Sequence, residues 1–64
     1  MKRRDLLSYL RTHDCAELRE GARHSIWQHI STGKMSTIPR HSEINNNLVK
    51  KICKDLGVEI PSSF

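Results

Sequence analysis

The sequence predicts an α+β domain with two layers, in which two helices cover one face of a three-stranded antiparallel sheet. Apolar residues recur at helical spacing near both ends of the chain, and three short runs suited to strands lie between them, separated by turn-forming residues. A chain of 64 residues with 36% apolar residues can build one small core of this kind. We expect one domain over residues 1–58 and a loose C-terminal tail over residues 59–64.

The predicted first helix runs from Lys2 to about His13. One side of it carries leucines at helical spacing, and the remaining surface is basic or polar. These leucines are Leu6, Leu7 and Leu10. Basic residues on a helix most often form a solvated face, and contact with RNA is the more specific interpretation of Lys2, Arg3 and Arg4.

Three strands are predicted in the middle of the chain, at Cys15–Glu20, Arg23 to about Ile30, and Met35–Pro39. Gly21 lies in the first connection, and we expect it to adopt the positive φ that a reversal between strands requires. Residues 31–34 form the second turn, and the third strand ends at a proline, which terminal positions of a strand tolerate. The three strands therefore form a meander.

The second helix is predicted after a polar connector over residues 40–47. Three consecutive asparagines, at residues 45–47, are N-cap candidates because the Asn side chain accepts a hydrogen bond from the first helical turn. The apolar residues at four-residue spacing are Leu48, Ile52 and Leu56. Gly57 suits the position after the last turn, with Val58 closing a Schellman-type contact. The element order, helix–strand–strand–strand–helix, is that of double-stranded-RNA-binding domains.

Composition limits the classes of function. The net charge of +4 favours a polyanion or an acidic protein as partner. Cys15 and Cys53 lack the spacing of a zinc site or a disulfide framework, so we expect buried thiols. No apolar run approaches the roughly 20 residues of a membrane span, and no apolar signal core follows the basic N-terminus. We therefore expect a cytoplasmic protein without a membrane partner.

Two histidines are candidates for acid–base chemistry. His24 follows the Gly21 turn beside Arg23, and an imidazole titrates near neutral pH. His41 follows the third strand, and in a meander the end of the third strand lies beside the start of the second. RNA cleavage without a metal ion requires a base for the 2′-hydroxyl, an acid for the leaving 5′ oxygen, and cations for the charged intermediate.

Structural roles for the two histidines remain open from the residues alone. His24 can simply form a hydrogen bond at a strand end, and His41 can cap the loop that enters the second helix. A metal site formed by both histidines and Glu43 is disfavoured, because no compact His-x-x-His or Glu-x-x-His spacing supports it. We expect no cofactor.

Four segments, in this order and spacing, resemble a HicA-type toxin. They are KRRDLL at residues 2–7, GARH at 21–24, IPRH at 38–41 and LVKKICKDLGV at 48–58. The resemblance implies an endoribonuclease toxin of a type II toxin–antitoxin pair that cleaves mRNA, with a double-stranded-RNA-binding-like fold. It also implies a HicB-type antitoxin as partner, with the toxin monomeric when alone and part of a hetero-oligomer when inhibited.

The resemblance implies a glycine-associated catalytic histidine, which is His24 here, and the geometry of the meander makes His41 a secondary candidate. The residues predicted to contact RNA are Lys2, Arg3, Arg4, Arg23, Arg40, Lys50, Lys51 and Lys54. The chain departs from the family at Arg23, where a small residue or a serine is common, and at residues 45–47, where a glycine is common. Two alternatives stay open, namely a non-catalytic RNA-binding module and a purely structural partner protein.

Overall fold

The structure, a computed structural model that describes residues 1–62, contains two helices and three strands in the predicted order. These elements are α1 (Arg3–Arg11), β1 (Cys15–Glu20), β2 (His24–His29), β3 (Met35–Pro39) and α2 (Asn46–Leu56). The strands form one antiparallel sheet in the order β1-β2-β3, so β2 is central. The predicted α+β class is confirmed.

Both helices pack on the same face of the sheet. Apolar residues of α1 and α2 form one cluster with side chains from all three strands, to which β2 and β3 contribute the fully buried Trp27 and Ile38. The buried members are Leu6, Leu7, Leu10, Cys15, Trp27, Ile38, Ile44, Val49, Ile52, Cys53 and Leu56. Alternation along β2 directs Ser25 and Trp27 into this layer, and His24, Ile26 and Gln28 toward the open face.

The two cysteines are buried free thiols, as predicted. Burial raises the pKa of both the Cys15 and the Cys53 thiol, and this keeps them in the neutral form. A neutral buried thiol behaves as a small apolar side chain. Both residues therefore contribute to core packing.

Helix α2 has well-defined caps at both ends. The Oδ1 atom of Asn45 accepts a hydrogen bond from the Leu48 amide at 2.8 Å, so Asn45 is the N-cap among the three asparagines. Gly57 adopts a φ of 72°, and the Val58 amide donates to the Cys53 carbonyl at 2.9 Å. This is the Schellman arrangement expected from the sequence.

Replacing Asn45 with alanine is expected to lower the free energy of unfolding by about 1 kcal/mol, because an amide of the first turn loses its acceptor. Urea unfolding followed by circular dichroism measures the effect. The matched control is Asn47→Ala, since Asn47 is exposed within the first turn and alanine is the better helix former. Equal losses in the two variants would contradict the assignment of Asn45 as the N-cap.

The turn between β1 and β2 differs from the prediction. Gly21 does not adopt a positive φ; within residues 1–62 the glycines that do are Gly33 and Gly57. The constraint at Gly21 is steric, because a Cβ atom built there would lie 2.7 Å from the carbonyl oxygen of His24. The chain folds back so closely that the Gly21 amide donates to this same oxygen at 2.8 Å. Glycine is needed at this point for close approach.

Strand β1 contains an irregularity that its alternating sequence does not reveal. The register shifts between Glu17, which pairs with Trp27, and Arg19, which pairs with Ile26. Leu18 is the extra residue of this bulge, and its side chain is 52% exposed. The bulge leaves an apolar side chain at the edge of the sheet.

The start of the C-terminal segment packs against the domain. The Tyr9 hydroxyl donates to the Glu59 carbonyl, and the Pro61 side chain is buried. The start of the predicted loose tail is therefore attached to the domain, because Tyr9 of α1 supplies a hydrogen-bond donor to its backbone. The last two residues of the predicted tail, Ser63 and Phe64, lie outside the described residues.

Candidate active site

His24 lies at the first position of the central strand and is exposed. Its neighbour Ser25 is fully buried toward the helices, so the imidazole projects from the opposite, open face of the sheet. Its cross-strand partner is Pro39, the last residue of β3. The ring is therefore accessible to solvent at one end of the sheet, on the face that α1 and α2 leave open.

The bend that precedes His24 is held by an arginine from beyond β3. Arg40 donates from Nε to the Gly21 carbonyl at 3.1 Å, and its guanidinium pairs with the Glu20 carboxylate. The Gly21 amide bonds to the His24 carbonyl on the other side of the bend. The short segment between β1 and β2 thus has a fixed position relative to the end of β3.

A second arginine reaches the same end of the sheet from α1. Arg3 donates from Nη2 to the Ser25 hydroxyl at 2.9 Å and from Nε to the Pro39 carbonyl at 2.8 Å. Its backbone amide also donates to the Ser42 carbonyl at 2.9 Å. Arg3 therefore connects the first turn of α1 with β2, with β3 and with the loop that enters α2.

His41 lies in the exposed loop after β3, two residues beyond the cross-strand partner of His24. The antiparallel sheet thus places both candidate histidines at one end of the domain. The remaining histidines are bound elsewhere. His13 Nδ1 lies 2.9 Å from the Tyr9 carbonyl, and His29 Nδ1 lies 3.1 Å from the carbonyl of Leu56 at the end of α2.

Several predicted RNA contacts lie at the His24 end. Lys2 and Arg4 line a surface pocket together with Ser42, and Arg23 is exposed in the bend before His24. Lys2 pairs weakly with Glu43, at 3.9 Å. Within residues 1–62, Arg4 and Arg23 form no ion pair with a carboxylate, so both positive charges face solvent.

The lysines of α2 form an exposed face of that helix. Lys51 pairs with Asp55 one turn later, at 2.9 Å, whereas Lys50 and Lys54 make no ion pair among the described residues. The hydrogen bond from Lys51 is the main cause that holds the pKa of Asp55 below its usual value. Because α2 ends beside His29, its lysines extend from the His24 end toward the opposite end of the sheet.

No group of three or more potential metal ligands occurs among residues 1–62. The same part of the chain contains no helix that is both long and apolar enough to cross a membrane. The outstanding feature of the site is an exposed imidazole with unpaired arginines nearby.

Comparison with protein families identifies the chain. The family model of the HicA toxin of bacterial toxin–antitoxin systems matches residues 3–58, which include both helices and the whole sheet. The chain belongs to the HicA toxin family. This confirms the resemblance seen in the sequence and gives the protein a toxin role. No curated protein and no solved structure matches the chain in the corresponding comparisons.

The structure adds one residue to the candidate site that the sequence did not indicate. Ser25 is fully buried beside His24, and its hydroxyl accepts a hydrogen bond from Arg3. The alternation of β2 offered a clue, because it puts Ser25 on the same face as Trp27, and a polar side chain on a core-facing position needs a partner. Nothing in the linear sequence identified that partner.

Proposed function

We propose that this HicA-family protein is a cytoplasmic endoribonuclease that cleaves mRNA as the toxin of a type II toxin–antitoxin system, with His24 transferring protons and no metal ion or other cofactor. The observation that carries the proposal is the exposed His24 imidazole, presented at the end of the sheet by a bend too tight for any residue but glycine. Proton transfer needs this combination of access and fixed position.

The chemistry follows from the substrate. A base removes the proton of the 2′-hydroxyl, the 2′ oxygen attacks the adjacent phosphorus, and the bond to the 5′ oxygen breaks as an acid protonates it. The products are a 2′,3′-cyclic phosphate and a 5′-hydroxyl. His24 performs one of the two proton transfers, and His41 at the same end of the sheet is the secondary candidate for the other.

Positive charge at this end stabilises the pentacoordinate intermediate and holds the RNA backbone. Arg23 stands next to His24 and is the residue we assign to the intermediate, whereas the pocket of Lys2 and Arg4 at the first turn of α1 holds the RNA backbone. Both helices begin at the His24 end, so their positive dipole ends point the same way. The lysines of α2, Lys50, Lys51 and Lys54, extend the cationic surface along the backbone of a longer RNA.

The open face of the sheet is the surface we assign to a HicB-type antitoxin. Leu18 and Met35 are more than half exposed on it or at its edge, and Ile26 is half-buried between them and His24. A partner that covers these apolar side chains also covers the imidazole. The toxin is expected to be a monomer when alone and part of a hetero-oligomer when inhibited.

Incubation of the purified chain with labelled RNA in EDTA tests the proposed reaction. We expect cleavage to continue in EDTA, to leave 2′,3′-cyclic phosphate ends, and to stop when the RNA is replaced by an all-deoxy strand, because the 2′-hydroxyl is the nucleophile. Intact RNA after long incubation, together with tight and salt-sensitive binding, would instead support a non-catalytic RNA-binding module.

A further inference from the structure

We infer that Arg3 and Arg40 are positioning residues for His24, and that they act on the bend and the strand that carry it. We refer to these two residues as the arginine clamp. The inference rests on the proposed function of His24, because it assigns the two arginines to catalysis through that residue. The sequence predicts both of them as RNA contacts.

Arg3 is bound within the domain in a way that its neighbour is not. Its guanidinium makes two hydrogen bonds, to the Ser25 hydroxyl and to the Pro39 carbonyl, and its side chain is half-buried. Arg4 is exposed, and no side-chain hydrogen bond is seen for it among residues 1–62. Binding a phosphate through Arg3 would require both internal bonds to break, which leaves the buried Ser25 hydroxyl without its donor.

The two atoms that Arg3 contacts define the position of His24. Ser25 is the next residue along the chain, and Pro39 is the residue paired with His24 across the sheet. A rigid, planar guanidinium that binds both at once fixes the distance between them. Movement of the start of β2 away from the end of β3 would break at least one of these bonds.

Arg40 fixes the other side of the same segment. It bonds to the Gly21 carbonyl and pairs with Glu20, so it ties the bend to the chain that leaves β3. His24 therefore lies between two anchor points, Gly21 and Ser25, each bound by one arginine of the clamp. Displacement of a catalytic group by about 1 Å costs on the order of 100-fold in rate, so loss of an anchor is expected to slow catalysis.

The test is a comparison of single variants in RNA cleavage and RNA binding. Arg3→Gln and Arg40→Gln are expected to lower kcat by about 10-fold or more, with KM and the salt dependence of binding unchanged. Arg3→Lys is expected to recover part of kcat, because one ammonium can replace one of the two hydrogen bonds. The matched contrast is Arg4→Gln, which should raise KM and reduce the salt dependence while kcat stays the same.

An increase in KM and a weaker salt dependence for Arg3→Gln, with kcat retained, would overturn the inference and make Arg3 an RNA contact. Ser25→Ala provides a second variant that removes one acceptor and keeps both arginines, and it should lower kcat without changing KM. If wild type itself does not cleave RNA, the proposed function fails. In that case the NMR chemical shifts of the His24 ring test whether Arg3 positions this residue. They should change in Arg3→Gln and remain as in wild type in Arg4→Gln.

Discussion

Expression of the His24→Ala variant is expected to leave bacterial growth unaffected under conditions in which the wild-type chain arrests it. Removal of a side chain that transfers protons in the rate-limiting step lowers the rate by roughly 10²- to 10⁴-fold, and this is enough to abolish toxicity. The side chain is exposed and belongs to no buried cluster, so the variant should fold. Circular dichroism and thermal unfolding establish that it does.

The control for this experiment is His13→Ala. His13 bonds to Tyr9 near the opposite end of the sheet from His24, so this variant changes the same residue type without touching the site. It should remain toxic. Growth arrest by folded His24→Ala at the wild-type expression level would contradict the role assigned to the imidazole.

Gly21→Ala is expected to cause the second large effect, on both stability and cleavage. The new Cβ atom would lie 2.7 Å from the His24 carbonyl oxygen, so the bend must open. Forcing an extra carbon atom into a filled space costs about 1–3 kcal/mol of folding free energy. The movement also shifts His24 itself, and cleavage should fall by about 10- to 100-fold. Urea unfolding and single-turnover cleavage measure the two quantities.

Gly33→Ala separates the two effects. Gly33 adopts a φ of 79° in the β2–β3 turn, where no atom of residues 1–62 beyond its chain neighbours lies within 4 Å of the position of a Cβ. An alanine there costs about 1–2 kcal/mol because of the left-handed backbone. The variant is therefore expected to lose stability and to keep its rate of RNA cleavage. If both glycine variants lost the same share of activity, the bend would have no special relation to His24.

Helices and their caps could be predicted from the sequence, because they depend on residues that are close together in the chain. The apolar spacing of Leu6 and Leu10 predicted α1, and Asn45 and Gly57 marked the ends of α2, because caps depend on residues within one turn. The meander followed from short runs and turns. The proximity of His24 and His41 to the same end of the sheet could also be predicted, because the start of β2 lies beside the end of β3 in an antiparallel meander.

Features that depend on distant contacts could not be predicted. Gly21 was correctly singled out for the turn, but the reason given for it was wrong, because the relevant neighbour is a carbonyl oxygen brought close by the fold. The bulge at Leu18 has no marker in an alternating sequence. Arg3 and Arg4 are equivalent in the linear sequence, and only the packing of α1 on the sheet distinguishes the bound arginine from the exposed one.

The most direct test of the central claim is the single-turnover rate of RNA cleavage in EDTA, measured at saturating protein for wild type and His24→Ala. Saturation removes any difference in RNA affinity, so the ratio of rates reports the chemical step alone. We predict a loss of at least about 100-fold, with the dissociation constant for RNA unchanged. Equal rates for the two proteins would show that His24 does not transfer a proton in the reaction.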